Sequence, residues 1–576
     1  MDKTILKNFA MDSRNKLIED TIYKLNLLGI TENKIQDPIE AEGMQTFQIG
    51  GTTYSIYDDD IRKRDEIIGE IKSKGFNSFV EEVAYTWFNR IIAIRYMEVN
   101  NYLPTKTRVL SSETEGKLEP DILTEALDID LNYSQDEKEL IFKLKDENKL
   151  DDLFRFLFIK QCNQLNEILP GLFKTTNDSL ELLLNISFTS EESVIRQLID
   201  NIPEEDFTKQ VEIIGWLYQY YISERKDQVI NINKSNIKKD DIPAATQLFT
   251  TDWVVKYMVD NSLGRYWLER NPNSSIKDCL EYYLGEAEQD VETQRKLDEI
   301  RSENIKIEDL TFFDPCMGSG HILVYAFDVF FEIYKELGFS ERDIPELILK
   351  NNIFGLDIDD RAYQLAYFAI LMKARKYDRK ILKKGIVPNV YAIQESGNIT
   401  DDIIKFIQKN DSTIVNDVIY LKEIFESGKE FGSLIQVKNI DWTNLRQSLQ
   451  NILEKSKTTL TDVVINEVIS KDLMALVNQA ELLSKKYSTV VTNPPYMNKF
   501  EKSLKDFAKK YYKDYSKDLF SMFIYRNFDF CDENGYNALM TPFVWMFIKN
   551  YENLRKFIIN NKSISTLIQL EYSAFS

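Results

Sequence analysis

The sequence predicts an α/β protein in which a mostly parallel sheet is preceded by an all-helical N-terminal domain. From about residue 244, short apolar runs alternate with Gly-containing turns and helical segments, which is the pattern of a parallel sheet covered by helices. Upstream, apolar residues recur at three- and four-residue spacing and Gly and Pro are sparse, which indicates helices. Because single cores stop growing at about 250–300 residues, a chain of 576 residues should form two domains, which we expect at 1–235 and 236–576.

The N-terminal domain is predicted to be a helical scaffold. The segment 87–102, WFNRIIAIRYMEVNNY, has the apolar spacing of a helix. A charged stretch at 234–241, KSNIKKDD, followed by Pro243, marks the expected boundary with the second domain.

The second domain is predicted to hold four strands. A turn at 314–320 should lead into a helix at 321–337, and a second helix at about 343–350 should precede the next strand. The charged, helix-rich stretch at about 397–486 is too long for a simple crossover, so we interpret it as an insertion. The predicted strands lie at 311–313, 353–356, 389–393 and 489–492.

The charge balance limits how the chain could meet a nucleic acid. Its net charge is −21, from 72 Lys and Arg against 93 Asp and Glu. That sign is wrong for a protein that coats DNA nonspecifically. Any DNA contact must therefore be local, through a basic patch, or be supplied by a basic partner or a missing segment.

Cysteine usage and hydropathy exclude several classes of protein. Cys162, Cys279, Cys316 and Cys531 form no CxxC pair, so neither a disulfide framework nor a zinc site is expected, and no metal is predicted. No apolar run approaches the ~18 residues that span a bilayer, and the N-terminus lacks the apolar core of a signal peptide. We expect a cytoplasmic protein with no membrane contact.

His321 is the single histidine of the chain. Ser-His-Asp hydrolases, HExxH metalloproteases, zinc deaminases and histidine-metal nucleases would need histidine elsewhere or in plural. The chemistry must therefore proceed without an imidazole base.

The strongest motif is Asn493-Pro494-Pro495-Tyr496, which ends the apolar run YSTVVT. Two consecutive prolines fix φ and remove two backbone donors, which makes the loop a rigid acceptor site. The exocyclic N6 amine of adenine is a poor nucleophile because its lone pair is conjugated with the ring. Acceptors at the Asn493 side chain and the Pro494 carbonyl could hold both amine hydrogens and free the lone pair. Tyr496 could stack on the base, which is worth roughly 1–3 kcal/mol.

A glycine turn and an acid belong to the same predicted sheet. In the sequence Asp314-Pro315-x-x-Gly318-x-Gly320, the glycines would let a ligand approach the backbone at the carboxyl end of the strands. Asp357 ends the next strand, where a carboxylate can grip ribose hydroxyls. The gap between glycines and acid is longer than in dinucleotide folds, which weakens a dehydrogenase interpretation.

Together these motifs resemble the amino-methyltransferases that act on adenine N6 or cytosine N4. NPPY rather than SPPY favours adenine, and Gln247 to Thr251, QLFTT, with a helix at 252–267, resembles the segment preceding the sheet in the gamma class. The resemblance implies a Rossmann-like methyltransferase sheet, S-adenosylmethionine as cofactor, and double-stranded DNA as substrate. It implies catalytic roles for Asn493, Pro494, Pro495 and Tyr496, and cofactor contacts for Thr250, Thr251, Asp314, Pro315, Cys316, Gly318, Gly320, Asp357, Ile358 and Gln394.

The residue that would meet the cofactor's adenine edge after the third strand remains open. Gln394 or Glu395, in NVYAIQES, is the first choice, and Asp441, in NIDW, is the alternative. Further along, Asp518-Leu519-Phe520 resembles the next segment of the family, and residues 535–542 resemble the strand and loop that follow it.

The helical front and the QLFTT and DPCMGSGHIL segments most resemble the methyltransferases of BREX phage-defence systems. Those proteins are roughly twice as long and continue into a target-recognition domain. The abrupt ending at 571–576, EYSAFS, leads us to expect that this chain lacks that domain. The resemblance implies site-specific host DNA marking, with other BREX proteins or a phage-encoded DNA-mimic inhibitor as further candidate partners.

Residues 499–517, the lysine-rich segment, hold seven lysines and three acids interleaved with aromatic residues. They could form a solvated helix face or contact phosphates near a flipped base. We expect the second, and we predict DNA contacts for Lys499, Lys509, Lys510 and Lys513.

Four alternatives compete with this assignment. Pro120-Asp121 with Asp136-x-Lys138 loosely fits a PD-(D/E)xK nuclease. Cys316 could suggest a cytosine-C5 nucleophile, but it lies in the cofactor loop. MGSGH lacks the lysine of a phosphate-binding P-loop. The chain could also be a subunit that binds DNA or an inhibitor and methylates weakly alone.

Overall fold

A computed structural model describes residues 2–41, 43–173, 178–232, 236–248, 250–455 and 460–570 of the chain. The chain divides into two units, Met1–Glu224 and Arg225–Ser576. Several predictions concern residues outside the described ones: Lys234 and Ser235 at the expected boundary, Phe249 in QLFTT, and the ending at 571–576.

The first unit is built mainly of helices, as the apolar spacing predicts. Helix α3 (Phe76–Val99) lies at the centre of this unit. Its residues from Trp87 to Val99, within the segment predicted to be helical, are all buried. The helices are α1 (Lys3–Leu27), α2 (Asp58–Lys74), α3 (Phe76–Val99), α4 (Asp121–Thr124), α5 (Gln135–Asp146), α6 (Leu150–Asn166), α7 (Val194–Asn201), α8 (Glu204–Lys209) and α9 (Ile213–Ile232), which contains the division between the units.

The all-helical prediction for this unit is wrong in one place, because it also contains a small antiparallel sheet. The order is β1-β2-β3. Gly50 and Gly51, at φ of 59° and 83°, form the two-residue turn between the second and third strands. Phe47 and Ile56 bury one face of the hairpin. The strands are β1 (Ile39–Ala41), β2 (Met44–Ile49) and β3 (Thr52–Tyr57).

The second unit contains a sheet of five strands in the order β6-β5-β4-β7-β8, and every neighbouring pair is parallel. This confirms the predicted Rossmann-like fold class. The strand order reverses between β4 and β7, because β5 and β6 are added on one side of β4, and β7 and β8 on the other. Open α/β sheets bind ligands at such switch points. The strands are β4 (Phe312–Asp314), β5 (Ile353–Asp357), β6 (Asn389–Ala392), β7 (Tyr487–Thr492) and β8 (Cys531–Leu539).

The helices before and between the first strands include two π-helical interruptions. The helix predicted at 252–267 is broken by a π-helical turn at Asp260–Gly264, and the one predicted at 343–350 continues into another at Ile348–Asn352. The buried Asp260 side chain accepts hydrogen bonds from Tyr325 Oη and the Tyr282 N–H at the first interruption. The helices are α10 (Ile242–Thr246), α11 (Asp252–Val259), α12 (Arg265–Arg270), α13 (Val291–Arg301), α14 (His321–Glu336), α15 (Ile344–Leu347) and α16 (Asp360–Tyr377).

The predicted insertion between β6 and β7 is helical and packs on one face of the sheet. Buried side chains of the insertion, such as Leu421 and Val477, share a core with Leu356 of β5 and Val490 of β7. The helices are α17 (Asp401–Asn410), α18 (Val415–Ile424), α19 (Gly428–Phe431), α20 (Trp442–Lys455), α21 (Leu460–Val468) and α22 (Met474–Ser484), and then, outside the insertion, α23 (Lys502–Tyr511), α24 (Leu519–Phe530) and α25 (Glu552–Asn561).

Close packing in the middle of the sheet depends on Gly355 of β5. A Cβ there would lie 2.6 Å from Met317 Sδ and 2.7 Å from Leu323 Cδ1. The loop after β4 can therefore rest against β5 only because this position has no side chain. Among the described helices, none has the length and apolar character needed to cross a membrane.

Candidate active site

The turn after β4 is shaped by two glycines with left-handed backbone. Gly318 has φ of 53° and Gly320 has φ of 83°. A Cβ on Gly320 would lie 3.0 Å from the backbone of Ala366 in α16, whereas space is open at Gly318. The Met317 N–H donates to the Leu356 carbonyl at 3.0 Å. The turn is thus fixed against β5 while the backbone at Gly318 stays accessible.

Asp314 connects the turn to the far side of the switch point. Its Oδ1 accepts hydrogen bonds from the Cys316 N–H at 3.0 Å and from Thr492 Oγ1 at 2.6 Å. Its other oxygen is buried and has no hydrogen-bond partner among the described residues. Burial, with a smaller contribution from the nearby Asp357 carboxyl, raises the pKa of Asp314 to about 7. A buried carboxyl with an unsatisfied oxygen is costly, which is typical of a functional site.

Asp357 ends β5 beside this turn. Its two oxygens accept hydrogen bonds from the Gly318 N–H at 2.9 Å and the Asp359 N–H at 2.8 Å. Burial raises the pKa of Asp357 to about 6. The acid predicted to hold ribose therefore lies within hydrogen-bond distance of the predicted glycine turn.

The amide of Asn493 follows β7 and is oriented by the QLFTT segment. Its Nδ2 lies 3.1 Å from Thr250 Oγ1 and 3.4 Å from the Leu248 carbonyl oxygen. A carbonyl can only accept a hydrogen bond, so this atom must be the amide nitrogen. The Asn493 Oδ1 therefore points away from QLFTT, and it accepts one hydrogen bond, from Tyr496 Oη at 2.8 Å.

Tyr496 turns back onto its own loop. Its single hydroxyl hydrogen is shared between Asn493 Oδ1 and the Met540 carbonyl, which lies 2.9 Å away, and its ring meets Phe520 edge-on at 6.2 Å between centroids. Burial raises the pKa of the Tyr496 phenol, so it remains a donor. The predicted stacking of this ring on a base stays a prediction. Pro494 and Pro495 between these residues supply no N–H donors.

The single histidine braces the QLFTT segment. His321 begins α14 directly after the glycine turn, and its Nδ1 lies 3.2 Å from the Thr250 carbonyl oxygen. The Asp252 carboxylate lies 3.7 Å from His321 Nε2. Hydrogen bonding with His321, then with Lys256, lowers the pKa of Asp252 to about 2. The Thr251 hydroxyl is buried and has no hydrogen-bond partner among the described residues.

The three candidates for the third-strand residue have different surroundings. Gln394 is half-buried just beyond the end of β6, and the Ile393 N–H before it donates to the Asp357 carbonyl at 2.8 Å. Glu395 pairs with Lys239 at 2.6 Å and accepts the Lys429 N–H. Asp441 is exposed and accepts the Asn444 N–H at the start of α20. Gln394 directly follows the residue that is bonded to Asp357, whereas Glu395 is engaged by Lys239 and Lys429, and this favours Gln394.

Several residues at these strand ends had no signal in the sequence. Thr492 bonds Asp314 from the neighbouring strand, and Ser433 Oγ donates to the Pro315 carbonyl at 2.6 Å from within the insertion. Lys429 Nζ donates to the Ile358 carbonyl at 2.9 Å. Their partners are 178, 118 and 71 residues away, respectively, in the chain. Only the folded sheet brings them together.

The lysine-rich segment forms a basic surface on α23. Leu504 and Ala508 of this helix are buried, and Phe507 stacks on Phe431 of the insertion at 4.1 Å between ring centroids. All seven lysines are exposed: Lys499, Lys502, Lys505, Lys509, Lys510, Lys513 and Lys517.

The structure does not favour two of the alternatives. Asp121 lies in α4 and accepts hydrogen bonds from Ser112 Oγ and the Glu113 N–H, while Asp136 lies in the first turn of α5. A PD-(D/E)xK site needs these acids on paired strands. Burial raises the pKa of the Cys316 thiol well above its usual value, which opposes the thiolate that a nucleophile requires. Among the described residues, no group of three or more His, Cys, Asp or Glu could hold a metal ion.

Residues 351–575 match the Eco57I restriction-modification methylase family. Over its full length the chain is 39% identical to the adenine-specific methyltransferase BrxX of Escherichia coli O9:H4 (strain HS), of which it covers 49%. Over 96% of its length it is 41% identical to the adenine-specific methyltransferase PglX of Lacticaseibacillus casei (strain Zhang), of which it covers 48%. Over 74% of its length it is 21% identical to the type II restriction enzyme and methyltransferase RM.Eco57I of Escherichia coli, of which it covers 36%.

The chain thus spans about half the length of the curated relatives that it matches. It is similar along its length to the adenine-specific methyltransferases BrxX and PglX, and the match to the Eco57I methylase family covers its residues 351–575.

Proposed function

We propose that this chain transfers a methyl group from S-adenosylmethionine to the exocyclic N6 amine of adenine in double-stranded DNA. The observation that carries the proposal is the orientation of Asn493, whose amide nitrogen is held by Thr250 and Leu248 while its oxygen points away from them. That oxygen has a second lone pair for an incoming amine donor.

The residues at the strand ends fit S-adenosylmethionine. The unpartnered, buried oxygen of Asp314 suits a ligand that brings positive charge, and Asp357 can accept the paired hydroxyls of a ribose. Open space at Gly318 permits a ligand to approach the backbone. When bound, the cofactor would supply an electrophilic methyl group on a sulfonium. Thr250, Thr251, Pro315, Cys316, Gly320, Ile358 and Gln394 are the other residues that we propose to hold it.

The chain's own part in the reaction is to prepare the amine. Asn493 Oδ1 and the Pro494 carbonyl would each accept one N6 hydrogen, which turns the nitrogen lone pair out of conjugation. Flipping the adenine out of the duplex costs a few kcal/mol because the base loses its stacking. Stacking of the flipped base on Tyr496 would offset part of this cost. Held in this way, the amine would receive the methyl group, and the electron pair of the broken carbon–sulfur bond would stay on sulfur. The surplus proton leaves the amine for solvent, because an amide is no base.

The lysine-rich segment would hold the DNA backbone beside this loop. Its charges are exposed on a chain whose net charge is −21, so phosphate contact would be confined to this surface. From the similarity to BrxX and PglX, we further propose site-specific marking of host DNA in BREX-type phage defence, with other BREX proteins or a phage DNA-mimic inhibitor as partners.

The first test is calorimetry of S-adenosylmethionine with the wild-type chain and with Asp357→Ala. We expect micromolar binding of the wild-type chain and binding that is roughly 10- to 100-fold weaker in the variant. Absence of binding to a wild-type chain with intact circular dichroism and a cooperative melt would refute the cofactor assignment. Asn493→Ala then separates a methyltransferase from a DNA-binding subunit, because only the former needs the amide.

A further inference from the structure

The segment that follows β5 is bonded to a lysine supplied by the insertion. Lys429 of α19 places its Nζ 2.7 Å from Asp360 Oδ2 and 2.9 Å from the Ile358 carbonyl oxygen. Asp360 begins α16, three residues after Asp357. The side chain of Lys429 is 23% exposed and that of Asp360 is 55% exposed, so solvent reaches this ion pair mainly from the Asp360 side. The insertion therefore reaches the proposed cofactor edge of the sheet with a charged group.

Asp360 connects this lysine to Gln394. Its other oxygen, Oδ1, accepts a hydrogen bond from Gln394 Nε2 at 2.6 Å, and the Ala392 carbonyl lies 3.2 Å from the same nitrogen. Both neighbours can only accept, so the amide nitrogen must face them. Gln394 Oε1 is then left as an acceptor, and no described residue donates a hydrogen bond to it.

The backbone of Gln394 is fixed independently of this contact. The buried Gln479 accepts the Gln394 N–H at 2.7 Å and donates to the Gln394 carbonyl at 3.0 Å. Only the side-chain torsions of Gln394 therefore decide where its amide oxygen points. The Asp360 carboxylate, itself held by Lys429, constrains those torsions.

We propose that Lys429 is a positioning residue that, through Asp360, fixes the amide of Gln394 so that Oε1 accepts the exocyclic amine of the cofactor's adenine. This inference rests on the proposed use of S-adenosylmethionine. It assigns the insertion a part in cofactor recognition. Without Lys429 the Asp360 carboxylate loses the partner that holds it and can move away from Gln394 Nε2, which leaves the amide held only by its 3.2 Å contact with the Ala392 carbonyl.

The test compares two ligands that differ only at the purine 6-position. S-adenosylhomocysteine carries an amine there, whereas S-inosylhomocysteine carries a carbonyl oxygen, which a fixed acceptor repels. Because an unpaired buried polar group costs about 1–3 kcal/mol, calorimetry of the wild type should give roughly 10-fold tighter binding of the adenosyl ligand. Lys429→Met should reduce that ratio to about one by weakening adenosyl binding and sparing inosyl binding. Lys429→Arg should restore the preference.

The matched control is Lys422→Met, which removes a lysine of the same insertion that pairs with Asp401 at 2.8 Å. It should leave the ratio unchanged. If Lys429→Met does not fold, Asp360→Asn serves in its place, since it removes the charge that Lys429 binds. An unchanged ratio in the folded Lys429 or Asp360 variant, or a wild type without preference, overturns the inference alone. A wild type that binds neither ligand overturns the cofactor assignment and this inference together.

Discussion

The carboxylates of Asp314 and Asp357, which end β4 and β5, are buried and half-buried, respectively, whereas the lysine-rich segment after β7 exposes its lysines. Asp314 is fully buried and the pKa of its carboxyl is raised to about 7, while Lys509 and Lys510 lie on the outer face of α23. Each buried group can make its own hydrogen bond to a small ligand, so removal of any one of these groups should change the ligand affinity strongly. A polyanion is held by many screened charges, each worth little. Substitution of a buried carboxylate should therefore have a larger effect than substitution of a single lysine, and the effect of the lysines should depend more strongly on the salt concentration.

The largest effect should come from the loop between these regions. Asn493→Ala removes the acceptor that prepares the amine. By analogy with losing one preorganised hydrogen-bonding group in other enzymes, turnover should fall by about 10²–10³-fold. Cofactor affinity should change little, and incorporation of labelled methyl groups beside calorimetry measures both. Asn498→Ala, at an exposed position of the same loop, is the control. Equal losses in the two variants would contradict the assigned role.

The second effect is on cofactor affinity. Asp357→Ala removes an acceptor that is charged when deprotonated, and hydrogen bonds to charged groups contribute about 1.5–3 kcal/mol, so affinity should fall roughly 10- to 100-fold. Because burial raises the pKa of Asp357 to about 6, wild-type affinity should also fall as the pH drops below that value and the carboxyl takes up a proton. Asp402→Ala, on the exposed surface of the insertion, should change neither property. A wild-type affinity that is flat from pH 5 to 8 would argue against a ribose contact.

The third effect concerns DNA. Changing Lys509, Lys510 and Lys513 together to Glu should lower duplex affinity, and it should reduce the slope of log affinity against log salt by about 2–3, given about 0.9 per phosphate contact. Fluorescence anisotropy over a salt series measures this. Lys405→Glu with Lys471→Glu, at exposed helix positions of the insertion, is the control. An unchanged slope would mean that the lysine-rich segment is a solvated helix face that does not contact DNA.

The smallest effect is on stability. Since the Asp314 pKa is raised from an ordinary value near 3.8 to about 7 in the folded state, the folded protein holds this proton more tightly than the unfolded chain. Its contribution to stability is present below about pH 4 and is lost as the pH rises through 7. Asp314→Asn should therefore flatten the fall in melting temperature over that window, by about 2–4 °C at pH 8. A steeper fall in the variant would reverse the sign of this argument.

Local chain signals predicted four of the five strands of the parallel sheet and the glycine turn, whereas β8 was expected only from the family resemblance. An apolar run followed by Asp314, Asp357 or Asn493 marks the end of each of three strands. Parallel strands have their carboxyl ends at one edge of the sheet, so the same pattern places these three residues at that edge. The hairpin around Gly50 and Gly51 was missed, although two glycines between alternating runs are a hairpin signal. The helical periodicity on either side obscured it.

The connections between loops could not be predicted in the same way. Thr492 and Lys429 gain their importance from partners far away in the chain, Asp314 and Asp360. Neither has a spacing or composition that distinguishes it from other threonines and lysines. The π-helical turn at Asp260–Gly264 likewise depends on tertiary bonds from Tyr325 and Tyr282. Periodicity describes one element at a time, so it carries no information about these bonds.

With a single histidine in 576 residues, proton exchange near neutrality falls largely to buried carboxyls. The pKa values of Asp314 and Asp357 are raised by burial to about 7 and about 6. A bound cation and ribose diol would favour the ionised forms, so cofactor binding should release protons to the buffer. The heat of binding at pH 6.5 should then depend on the buffer's ionisation enthalpy, differing between phosphate and a tertiary-amine buffer. The difference in binding heat between the two buffers, divided by the difference in their ionisation enthalpies, gives the number of protons released.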